Sequence, residues 1–269
     1  MNGIPGGVPP LVYMLTWATN PAGPRWLIEH GADPNPAWGE DGEASLHVAA
    51  RRWDVPLVEL LVRRGADVSR PRADGRTPHT LAELHGNHAV AEWLLAHGAS
   101  SDLSPLDAFI AACARGDRPA AEAMPRANPG LRDGLGREHH LLLQHAAETG
   151  NAAVLETMLA CGFDPRVGDK DKVTPLHRAA MAGHAAAVEV LLKHRAPTDV
   201  LDGMFSATSL IWAVEGWTNA RAEGADHVAV ARLLIAAGSP VEWIAPEGSP
   251  GPERVQEALI ELRRLARNN

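Results

Sequence analysis

The chain has 269 residues, with 33 acidic against 25 basic side chains, a formal net charge of −8 and a pI near 5.9. That length suits one or two compact domains or one elongated array. The acidic balance argues against a broad nucleic-acid face, which needs clustered Lys and Arg. Cysteine stands only at 113 and 161, each inside an apolar helical pattern, so a reducing cytosol is expected rather than a disulfide framework.

The first twenty residues have no basic n-region and only a short apolar run, so they read as neither a secretion signal nor a membrane span. Pro10-Leu11 opens a short helix to about Thr19. Pro24–His30 gives a second, closed by Gly31-Ala32-Asp33, and a polar loop with Trp38 follows at 34–42. Ser45-Leu46-His47-Val48-Ala49-Ala50 restarts the pattern, with Leu57-Val58-Leu60-Leu61 as its second helix and Gly65-Ala66-Asp67 as its exit. Thr77-Pro78 opens the next unit 33 residues after Ala44. In it His79 and Thr80 replace Leu and His, and Val90-Trp93-Leu94-Leu95 and Gly98-Ala99 complete it.

The register then slips. The inner helix Asp107–Gly116 ends only 30 residues after Gly86, so the intervening loop at 100–105 is shortened and marks a break between two blocks. The period recovers at Gly150 and Gly183, spaced by 34 and 33 from the preceding glycines. The unit at Leu141–Gly162 carries Leu141-Leu142-Leu143-Gln144 where its neighbours have a Thr-Pro-Leu-His turn.

The clearest unit is Val173–Thr198. Thr174 is a helix N-cap, Pro175 takes the first helical position, and Gly183 ends the first helix in a left-handed conformation. Val188-Val190-Leu191-Leu192 form the apolar run of the second helix. A further unit starts at Thr208-Ser209-Leu210-Ile211. Its two helices are separated by an insertion at 217–225, and it ends at Ala237-Gly238. The stretch 252–267, with Val255, Leu259, Leu262 and Leu265 on one stripe, is expected to be a C-terminal capping helix.

The Thr-Pro-Leu-His turn, the Ala-Ala pair, the Gly-His step and the period of 33 resemble the ankyrin repeat. The resemblance is sharpest at Ser45, Thr77 and Thr174 and covers nearly the whole chain. It implies an all-α fold, an ankyrin-repeat solenoid of about seven helix–turn–helix units over 1–244, with β-turn fingers and a cap at 252–267. The looser units, Asp107–Asp133 in particular, resemble divergent ankyrin proteins of bacteria, and the Arg- and Ala-rich composition hints at such a source.

No cofactor and no catalytic motif are expected. Gly134-Leu135-Gly136 lacks the rest of a dinucleotide loop. His139, His140 and His145 are spaced so that they do not converge on a metal. His47 and His177 are expected to bond neighbouring backbone. The resemblance implies a non-enzymatic scaffold, monomeric and cytoplasmic, that binds another protein or peptide but neither nucleic acid nor a membrane. The alternative is a Trp-lined pocket that binds a small molecule or acts on one. Carried over from the family, the partner-contacting positions are Asp41, Glu43, Arg51, Arg52, Trp53, Asp74, Arg76, Leu84, His85 and Arg115, then Glu138, His140, Glu148, Thr149, Lys172, Met181, Phe205, Glu215 and Trp217. Trp53 and Trp217 stand where Gly normally ends an inner helix, and large amphipathic rings suit a binding surface.

Overall fold

The computed structural model describes residues 7–219, 224–241, 257–258, 260–261 and 264. The expected cap at 252–267 and the middle of the expected insertion lie largely outside these residues. The chain divides into two units, 1–115 and 116–269, downstream of the shortened loop at 100–105.

The first unit contains α1 (Pro10–Trp17), α2 (Ala22–Glu29), α3 (Ser45–Arg52), α4 (Val55–Arg63), α5 (Pro78–Leu84), α6 (His88–Ala96) and α7 (Pro105–Ala114). Local signals set the starts. Asp54 Oδ1 accepts from Leu57 N at 3.3 Å, and Thr77 Oγ1 accepts from Thr80 N at 3.3 Å. Ser104 Oγ accepts from Asp107 N at 3.0 Å while donating to the Asp107 carboxylate at 2.7 Å. Proline occupies the first turn of α4, α5 and α7, where its missing N–H is not needed. Packing runs α1–α3–α5–α7 in an inner layer and α2–α4–α6 in an outer one. Between them Leu15, Ile28, Leu46, Leu57, Leu61 and Leu94 are wholly buried. Each such side chain stabilises the fold by roughly 1.5–3 kcal/mol.

The second unit contains α8 (Arg118–Ala127), two short turns α9 (Gly130–Asp133) and α10 (Arg137–His140), then α11 (Leu142–Glu148), α12 (Ala152–Ala160), α13 (Pro175–Ala182), α14 (Ala185–Lys193), α15 (Ser209–Asn219) and α16 (His227–Ala236). Its inner layer is α11–α13–α15 and its outer layer α12–α14–α16. Leu143, Leu155, Leu176, Leu191, Leu210 and Leu234 fill the space between. The last inner helix does not stop at Trp217 as the register suggests. It runs on to Asn219, so the inserted residues begin as helix.

His177 shows how the turn residue works. The backbone N–H of Thr174 points at its Nδ1 at 3.2 Å, and the Thr174 hydroxyl lies 2.8 Å from the same atom. An amide can only donate, so Nδ1 is unprotonated and Nε2–H donates to the Ala207 carbonyl at 3.2 Å. His47 repeats this, with Ala44 N on Nδ1 and the Arg70 carbonyl on Nε2. Burial holds both imidazoles below the usual histidine pKa, more strongly than the backbone bonds raise them. The unfolded chain therefore binds more protons near pH 6, and stability is lost as pH falls below about 6.5. In α11 the same position is Gln144, whose amide donates to the Val173 carbonyl at 2.7 Å without titrating. His177→Gln is accordingly expected to flatten the fall in urea midpoint between pH 7.5 and 5.5. An unchanged pH slope would contradict the neutral role of His177.

Candidate interaction site

The fingers and the C-terminal ends of the inner helices are where the expected contact residues lie. In the first unit, much of that surface is bonded to itself. Glu43 binds Arg51 at 2.9 Å through one oxygen and Arg72 at 3.2 Å through the other. Arg72 also pairs with Asp74, and Arg76 lies 3.6 Å from Asp74 and 2.9 Å from Asp107. A ladder of alternating charge thus links α3 and the loop before it, the loop before α5, and the first turn of α7. Hydrogen bonds from Arg72 and Arg76 hold the Asp74 carboxyl below its usual pKa, although burial pushes it the other way. Asp41 stays exposed, its carbonyl accepting from Ala73 N of the next finger at 2.8 Å. Arg72 and Asp107 were not among the expected contact residues, yet they join the rungs. The Ser104-x-x-Asp107 spacing marked Asp107 only as a residue of a capped first turn, not as a partner of Arg76.

Three of the carried-over positions are corrected by burial or anchoring. Trp53 is buried, and its indole N–H donates to the Leu15 carbonyl at 2.8 Å. Leu84, the last residue of α5, is also buried. His140 is half-buried rather than at a fingertip. Its Nδ1 accepts from Asp164 N at 3.2 Å, and its ring meets Phe163 edge-on at 6.1 Å. The neighbouring His139 is buried too and caps its own turn, accepting from Gly136 N at 2.9 Å. The Trp53 indole and the His139 and His140 imidazoles therefore hold backbone. Arg52 is exposed, but its guanidinium donates to the Thr16 and Ala18 carbonyls beside the Trp53 ring.

Trp53 and Arg52 belong to a repeated device: in α1, α3, α11 and α13, carbonyls at the end of the inner helix accept from a side chain of the next repeat. Asn87 donates to the Ala50 and Trp53 carbonyls at 3.0 and 2.8 Å. In the second unit His184 reaches the Glu148 carbonyl at 3.1 Å, and His227 reaches that of Met181 at 3.0 Å. Glycine makes room for this. Gly183 has φ 74°, and a Cβ there would lie 2.8 Å from His227 Cε1. At Gly216 a Cβ would land on the Met181 carbonyl oxygen, so α15 could not approach α13 with any larger residue.

A different cluster sits on the buried face of α5. Glu83 and His79 are buried, 3.6 Å apart, where the equivalent helices carry Ala and Leu. The Arg115 guanidinium clasps the Glu83 carboxylate with both Nε and a terminal nitrogen. Burial raises the Glu83 pKa, but the nearby His79 ring and the hydrogen-bonded Arg115 guanidinium outweigh it and hold the group below the usual glutamate value.

The remaining expected positions lie toward solvent. Glu138, Glu148, Thr149, Lys172 and Phe205 are exposed, and His85, Met181, Glu215 and Trp217 are half-buried. The finger before α15 holds three exposed apolar side chains, of which only Phe205 was expected. Leu201 and Met204 went unread, although an apolar finger stands out against Asp169-Lys170-Asp171-Lys172 in the preceding repeat.

Stacked two-helix repeats, a neutral histidine or glutamine in the turn and clamped inner-helix ends define an α-solenoid of repeats. The family model for "Ankyrin repeats (3 copies)" matches residues 15–105 and 142–242, and the chain belongs to that family. It is 30% identical over 191 residues to human ankyrin repeat and SOCS box protein 16, covering 66% of this chain and 42% of that protein. It is 28% identical over 158 residues to mouse rabankyrin-5, covering 56% of this chain and 14% of that one. The chain thus spans less than half the length of these relatives. The human ASB11 ankyrin repeat domain, a solved structure, aligns over 86% of this chain and 98% of its own at 22% identity, with a TM-score of 0.39. Ankyrin repeats are generally protein–protein interaction modules. No helix among the described residues is long and apolar enough to cross a membrane.

Proposed function

We propose that this chain is a non-enzymatic scaffold that recognises another protein or peptide through its inner-helix ends and fingers, working as a monomer in a reducing, cytoplasmic setting. The observation that carries this reading is how the side chains divide. The apolar faces are consumed by stacking, and the histidines of the turns hold backbone. The exposed candidates gather at the ends of the inner helices and at the finger tips, as Glu148, Thr149, Lys172 and Phe205 do. A surface of mixed charge with a few large anchors suits a protein partner.

The test is affinity capture from native cytosol. Glu148→Arg together with Thr149→Arg is expected to reduce recovery of the main partner at least tenfold. Glu189→Arg, exposed on the outer helix α14, should leave it unchanged. Equal recovery by both variants would refute the inner-end assignment.

A further inference from the structure

We propose that Leu201, Met204 and Phe205 form a preorganised apolar prong that docks a short peptide segment of another protein, one carrying a leucine or aromatic anchor next to an acidic residue. This rests on the protein-binding reading above and names the partner chemistry for one finger. The three side chains are 50%, 48% and 48% exposed within five consecutive residues. Exposed large apolar groups gathered in one place mark interaction sites, and Met and Phe are enriched in interface cores.

The prong is held rigid from beneath. Asp202 is buried, and one of its oxygens accepts from the backbone N–H of Met204 and of Phe205, each at 2.7 Å. Its other oxygen accepts from Ala207 N at 3.1 Å and from the Trp212 indole N–H at 2.9 Å. The Trp212 ring is in turn fixed edge-on against His177 at 5.5 Å. A loop already ordered by such bonds loses little conformational freedom on binding, which favours affinity.

Charge selects the neighbour of the anchor. Gly203 N donates to the Asp171 carbonyl at 2.6 Å, which seats the prong beside the preceding fingertip. There the carboxylates are engaged. Asp169 accepts from Asp171 N and Val173 N and faces Arg178 at 3.3 Å, and Asp171 lies 3.7 Å from Lys170. Lys172 is exposed at the tip and has no ion pair among the described residues. Asp199 stands at the foot of the finger, two residues before Leu201. Lys172 follows Asp171, whose carbonyl holds Gly203, so the fingertip that seats the prong carries an exposed cation to meet a partner's carboxylate.

A random dodecapeptide phage library is panned on the full chain after depletion on a Met204→Ser, Phe205→Ser double variant. Fluorescein-labelled copies of the enriched sequences are then titrated by anisotropy. Peptides with a Leu or aromatic anchor and a neighbouring Asp or Glu are expected. Their Kd should rise at least tenfold in the double variant and several-fold in Lys172→Glu, with thermal stability unchanged. Failure to enrich any sequence, equal binding by the double variant, or indifference to Lys172→Glu would overturn the proposal. So would a dimer in sedimentation that the double variant abolishes, because the occupant would then be a second copy. Peptides that bind at full strength to the double variant but not to Glu148→Arg, Thr149→Arg would refute the prong while leaving the scaffold reading intact.

Discussion

Arg115→Ala is expected to destabilise the first unit by about 2–4 kcal/mol at pH 7, read as a drop in urea midpoint. Breaking a buried ion pair from one side typically costs about 3–5 kcal/mol, because the remaining charge is stranded. The lower range applies here because the Arg115 side chain is 52% exposed, so water would reach Glu83, itself 2% exposed, once the guanidinium is gone. The sign of the pH dependence makes the test sharp. In the native chain the Glu83 pKa is depressed, so its contribution is present above the unfolded glutamate value and is lost as pH falls below it. Without Arg115 the folded pKa rises toward the unfolded value, so the variant should lose less stability than the native chain as pH falls through the glutamate range. The complementary double variant His79→Leu, Glu83→Ala installs what Leu176 and Ala180 already supply in α13. It should be neutral or stabilising by up to about 2 kcal/mol, since apolar groups that replace a buried polar cluster commonly do so. A loss of several kcal/mol in that double variant would mean that the cluster stabilises the unit, not merely that its parts depend on one another.

Trp53→Ala is expected to cost about 3–5 kcal/mol, the range for removing a large buried aromatic side chain. The change empties the space beneath the Arg52 guanidinium and leaves the Leu15 carbonyl without its indole donor. Trp53→Phe keeps most of the volume and loses the N–H, so it should cost about 1–3 kcal/mol, near the value for an orphaned buried polar group. Thermal denaturation of the two variants separates packing from the hydrogen bond. If Trp53→Ala left the melting temperature unchanged, the ring would be an anchor for a partner after all.

The fold was legible because its signals are local. Thr, Pro, Leu, His and Gly at fixed offsets in the unit at 173–198 specify a cap, a first turn and a stop, and the apolar runs specify two layers. Even the replacement of histidine by Gln144 preserved the donor that the turn needs. The candidate site was less legible because its chemistry depends on neighbours one repeat away. Nothing in the sequence near Trp53 says that Leu15 offers a carbonyl to it, so a ring at a capping position looked like a surface anchor. Glu43, Arg51, Asp74 and Arg76 looked available for the same reason. Glu43 meets Arg72 of the next finger and Arg76 meets Asp107 in the first turn of α7, while Asp74 pairs with Arg72 in its own finger. The apolar prong was half visible: Phe205 fell on a carried-over position, whereas the exposure of Leu201 and Met204 follows from the buried Asp202 that turns the finger.

The clamping of α1, α3, α11 and α13 by the repeat that follows has a consequence for how such a chain can change. A helix end that is completed by the next repeat is an inherited agreement between two repeats, not a property of either. Trp53 answers the ending of α1, Asn87 that of α3 and His184 that of α11, each with a different donor. Copying or deleting one repeat would set mismatched donors against foreign carbonyls at both seams. Drift within a pair is tolerated when both sides move together, which allows sequences to diverge widely while the order of the repeats stays fixed.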